Sequence, residues 1–121
     1  MEISHGLCDD LDSVSRYDDL HSHLTNIKSG VTLQFWRTGK VAYIKAQGES
    51  VALNAGAWND LANISSAAYR PKNHIYGIGY TESDGVRVIC ETNVTADGIV
   101  RIFGSKAGNQ MVRLSIVFPI A

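Results

Sequence analysis

The chain has 121 residues, 45% of them hydrophobic, and a formal net charge of −1, which suits one domain with its own core. That balance leaves no basic stripe for a nucleic acid partner, and no apolar run is long enough to span a bilayer as a helix, so membrane insertion is not expected. Two cysteines, Cys8 and Cys90, cannot build a disulfide framework, so side-chain contacts or association must hold the fold together.

Residues 1–29 read as an arm. Its first part is acidic, with Glu2, Asp9, Asp10, Asp12, Asp18 and Asp19 against Arg16, whereas the remainder of the chain is net basic. Leu7, Leu11, Val14, Tyr17, Leu20, Leu24 and Ile27 recur three or four residues apart, the spacing of a helix with a thin apolar stripe. Such a stripe is marginal alone in water and suits a helix zipped against copies of itself, with Leu20, Leu24 and Ile27 at the contact. An acidic leader, or an arm folded onto its own β domain, are the competing readings. Ser29-Gly30 ends the arm.

From residue 30 to 121 the pattern changes to period two. Val31–Arg37 and Val41–Gln47 flank Thr38-Gly39-Lys40 as a hairpin, and a short strand is expected over 50–53. Asn54–Asp60 reads as a loop, and Pro71 places the following stretch at an edge or a turn. A strand is expected over 74–81, where Gly77 and Gly79 suggest a bend or a close backbone approach. Glu82–Gly85 is turn chemistry. Further strands follow at Val86–Glu91 and Ile99–Phe103, then a polar loop over 104–110 and a last strand over 112–118. Short strands and frequent turns predict an all-β, antiparallel β-sandwich of jelly-roll type. Trp36, Ile44, Ile89 and Val117 fall on the outward side of their strands, and such an apolar set implies a second covered surface, which a subunit interface would supply.

Three motifs occur in order: Phe35-Trp36-Arg37-Thr38-Gly39-Lys40-Val41, Ala68-Tyr69-Arg70-Pro71, and Val94-Thr95-Ala96-Asp97-Gly98-Ile99-Val100-Arg101-Ile102. Their combination resembles the C-terminal head domains of tail-fibre, baseplate and receptor-binding proteins of bacteriophages that infect Gram-positive bacteria. The resemblance runs from about residue 31 to the C-terminus. It implies a homotrimeric β-sandwich head on a fibrous stalk, which the arm would end. Its place would be the virion, at the tail tip, baseplate or fibre, among other tail or baseplate proteins. It also implies non-covalent attachment to host cell-wall polysaccharide, with no cofactor.

A saccharide site needs an aromatic face for the sugar's C–H surface and polar groups for its hydroxyls. Trp58 and Asp60 in the expected loop, His74, Tyr76 and Tyr80 at period-two spacing, and Arg87 are the candidates. Against Trp58 stands a plainer role as a loop anchor, and against His74, Tyr76 and Tyr80 one as interface or sheet-surface contacts. No catalytic residue or metal ligand is assigned. The carboxylates Asp60, Glu82, Asp84, Glu91 and Asp97 single out no glycosidase pair, Gly-x-Ser-x-Gly is absent, and Cys90 lies mid-strand. A head that only terminates a fibre, or docks on another virion protein, is the alternative to saccharide attachment; a polysaccharide depolymerase is a more distant one.

Overall fold

Alternating apolar and polar residues can bury one face of a pleated ribbon and wet the other, and nearly every strand here follows that rule. The computed structural model describes residues 17–120. Nine strands are found among them: β1 (Asp18–Asp19), β2 (Leu24–Thr25), β3 (Thr32–Thr38), β4 (Val41–Leu53), β5 (Ala57–Ile64), β6 (Ile75–Ser83), β7 (Val86–Val94), β8 (Ile99–Gly104) and β9 (Gly108–Pro119). All pair antiparallel in one sheet of order β1-β3-β4-β9-β6-β7-β8-β5-β2. The expected antiparallel all-β fold is thus present.

The sheet curls. Its two edge strands, β1 and β2, are joined by only Leu20–His23, a link that reaches about 18 Å when fully extended. The two edges therefore lie close together, and the inward faces oppose one another across a core, sandwich-fashion. Leu33, Phe35, Ile44, Ile116 and Phe118 fill one half of the sheet, and Leu61, Ile64, Val94, Val100 and Ile102 the other. Phe35 and Phe118 stack at 6.4 Å between centroids.

Turn chemistry sets the hairpins. Asp84 and Gly85 both take left-handed φ, 52° and 76°, the backbone that matches the right-handed twist of the flanking strands β6 and β7. The loops expected over 54–60 and 104–110 are shorter than the sequence suggests, and buried amides explain both. Asn59 accepts from the Asn54 amide (2.9 Å) and donates to the Asn54 and Ala57 carbonyls (both 3.1 Å), so β5 begins at Ala57. Gln110 donates to the Lys106 carbonyl at 2.6 Å, and β9 begins at Gly108. The short strand expected over 50–53 is the end of β4, past an irregularity between Gly48 and Val51 that shifts the register.

Two expectations are corrected. Over residues 17–29 the arm is not an α-helix but β1, a 3-10 turn (His21–His23) and β2, both strands paired within the sheet. Leu20 and Leu24 are buried in their own domain's core, so they are not an interhelical stripe; Ile27 stays exposed. Period three to four also describes a segment that dips twice into a core from its rim. Residues 1–16 lie outside the described region. Ile44 is fully buried between Phe35 and Ile116, because Ala42, Ile44 and Ala46 form the inward side of β4 and Val41, Tyr43 and Lys45 the outward side.

Candidate functional surface

The outward side of the sheet gathers the polar and aromatic groups, since inward positions are taken by the core. Cross-strand register arranges them in rows. Trp36, Tyr43 and Val117 form one, and Gln34, Lys45 and Ser115 the next. Gln47, Arg113, Tyr80 and Ile89 form a third, and Asp60, Arg101, Asn93 and Tyr76 a fourth. Ile89, Ile78, Tyr76 and Val117 are 74%, 71%, 64% and 53% exposed, an apolar surface at the middle of this face. Trp36 is half-buried, stacked on Tyr43 at 5.4 Å with planes 4° apart. Of the expected interface set, Ile27, Trp36, Ile89 and Val117 are accessible to a partner, whereas Leu20, Leu24 and Ile44 are not.

Five of the six expected saccharide residues reach this face. Trp58 leads β5 rather than a loop. It meets Phe103 edge-on at 5.5 Å, and the Arg101 guanidinium lies 4.8 Å from its ring centroid. Arg101 is itself held by Asn93, whose Oδ1 accepts from its Nε at 3.0 Å. Asp60 is exposed and opposite Arg101 in register. Tyr80 carries the Arg87 guanidinium 4.2 Å above its ring, and Glu82 Oε1 accepts from Arg87 Nε (3.0 Å) and Nη2 (2.9 Å). Both aromatic platforms therefore have a guanidinium on one face. Tyr76 shares the Asp60–Arg101–Asn93 row. His74 stands apart, before β6, where its Nδ1 accepts from the Ala96 amide at 2.9 Å.

Hollows mark the surface formed by the described residues. One of about 370 Å³ is lined by Gln34, Lys45, Gln47, Ile78, Tyr80 and Arg113. Its cations differ: Arg113 is tied to Glu49 at 2.6 Å, whereas Lys45 makes no ion pair among the described residues. A second, of about 380 Å³, lies between Tyr17, Asp19 and His21 on one side and Gln34 and Trp36 on the other. A third, of about 330 Å³, holds Trp58, Ile89, Glu91 and Phe103. Each combines an aromatic ring with charged or hydrogen-bonding side chains. Lys45, Gln34 and Gln47 escaped the sequence reading because their neighbours on β9 and β6 come from distant parts of the chain. Period two puts Gln34 on the side of Trp36, but with Ile44 expected outward it puts Lys45 and Gln47 on the inward side.

No family model and no curated protein matches this sequence. A solved structure does: the head domain of phage bIL170, described in connection with a common fold for the receptor binding domains of lactococcal phages. It superposes with a TM-score of 0.60 at 18% identity, covering 88% of this chain and 98% of that one. At that identity the likeness is one of fold. The fold implied by the Phe35–Val41, Ala68–Pro71 and Val94–Ile102 motifs is the fold found: this chain is built like the head domain of a lactococcal phage.

Proposed function

We propose that this chain is the receptor-binding head of a phage tail, attaching reversibly to saccharide of the host cell wall. The observation that carries this reading is the near-complete overlap with the bIL170 head domain, joined to an outward face rich in aromatic, amide and cationic side chains. Tyr76, Trp58, Tyr80, Asp60 and Arg87 are the proposed contacts on that face, with His74 at its margin. Copies of the chain in a homotrimer would cover Ile78, Ile89 and Val117, whose exposure in a single subunit is costly in water. Three weak sites on one head would then give avidity without a tight single site. The action is binding, not bond cleavage.

A second reading has its own support. Arg101 and Arg87 already occupy one face of Trp58 and one of Tyr80, which suits a head that only ends a fibre or docks on another tail or baseplate protein. Titration of immobilised domain with purified cell-wall polysaccharide separates the two. Saturable binding that falls at least about tenfold in Trp58→Ala or Tyr76→Ala supports attachment. No binding to polysaccharide from cells the phage infects, with capture by a tail protein instead, favours docking. Release of reducing ends from the polymer would overturn both in favour of an enzyme.

A further inference from the structure

The segment Tyr17–Gly30 is bound to both ends of the sheet. On the β3 side, Asp18 and Asp19 pair with Arg37 and Trp36, and the Leu20 amide donates to the Phe35 carbonyl at 2.8 Å. On the β5 side, Leu24 and Thr25 pair with Ile64 and Asn63, and the Lys28 amide donates to the Leu61 carbonyl at 2.8 Å. The Ser65 amide and hydroxyl both donate to the His23 carbonyl, at 2.8 and 2.9 Å. Between these anchors Leu20 and Leu24 enter the same core.

A two-residue strand holds little by itself. Each anchor is kept in place by the other anchor and by the two leucines they share. Left-handed backbone at Asn26 (φ 51°) and Gly30 (φ 86°) brackets the return to β3. Gly30 is fixed to the domain, since a Cβ there would stand 2.7 Å from the Ser50 carbonyl oxygen. The natural parting line therefore runs just before Gly30.

We infer that residues 17–29 are a clasp that opens and closes as one unit, freeing β3 and β5 together well before the domain unfolds. Open, it uncovers the leucine sites and the backbone edges of both strands. Closed, it completes the second hollow, whose walls come from clasp (Tyr17, Asp19, His21) and sheet (Gln34, Trp36). Displacement of the chain at Tyr17 is thereby delivered to the two strands that carry Trp36 and Trp58 on the outward face. This regulates the surface, and it stands whether or not that surface binds saccharide.

Native-state hydrogen exchange on the full chain tests it. The Leu20 amide reports the β3 edge, and the Lys28 and Ser65 amides the β5 edge. Their protection factors should agree within about threefold and lie at least about a hundredfold below those of the β4–β9 ladder. Leu24→Ala should accelerate all three by about tenfold or more, including Leu20 at the opposite edge, with the ladder still at least about a hundredfold more protected. The clasp is refuted if the three amides are as protected as the ladder, or if the two edges differ by more than about tenfold. It is equally refuted if Leu24→Ala moves only Lys28 and Ser65. Should that variant fail to fold, the wild-type comparison decides alone.

Discussion

Gly79 was legible as a special position, and its reason is now specific. A Cβ there would stand 2.5 Å from the Arg113 carbonyl oxygen, 2.9 Å from Thr92 Cγ2 and 3.0 Å from Leu114 Cβ. Gly79→Ala must push β6 away from β9, and a loss of about 1–3 kcal/mol is expected from the urea midpoint. Asn59 was not legible: a buried asparagine that ties a turn has the same letter as an exposed one. Asn59→Ala strands the Asn54 amide and two carbonyls, so a loss of about 1–3 kcal/mol is expected in the same titration. Trp58 and Tyr80 were picked for open ring faces. That Arg101 and Arg87 cover one face of each depends on register between strands, which no local pattern encodes.

Among the elements, those closed by local contacts were readable. The β3–β4 hairpin follows from its Gly39 turn, and β6–β7 from Asp84-Gly85. The clasp was not, because β1 and β2 find partners across the whole sheet order and carry too few residues for a period to emerge. Its spacing of Leu20, Leu24 and Ile27 copies that of a helix. The energetics divide sharply along this segment. Leu20→Ala removes a buried side chain and should cost about 2–5 kcal/mol in thermal unfolding. Asp18→Asn breaks the 2.9 Å ion pair with Arg37, and with side chains 62% and 35% exposed it should cost less than about 1 kcal/mol. A large effect from Asp18→Asn together with a small one from Leu20→Ala would reverse the account of what seats the clasp.

At the scale of the molecule, the sequence anticipated Trp36, Ile44, Ile89 and Val117 on the outside: Ile89 and Val117 are exposed, Trp36 is half-buried and Ile44 is buried, while Ile78 and Tyr76 are exposed as well. The miss arose from phase, since both alternating sets of β4 contain apolar residues and only pairing with β3 and β9 decides which is inward. We propose, as above, that copies of this chain cover Ile78, Ile89 and Val117, a part of the outward face. Ile89→Glu should weaken association without lowering the stability of the subunit, since the position is on no core face. The most direct measurement is light scattering on the purified chain at micromolar concentration. The account predicts a mass near three times the 13.2 kDa of one chain, reduced by Ile89→Glu; a wild-type mass of one chain would contradict it.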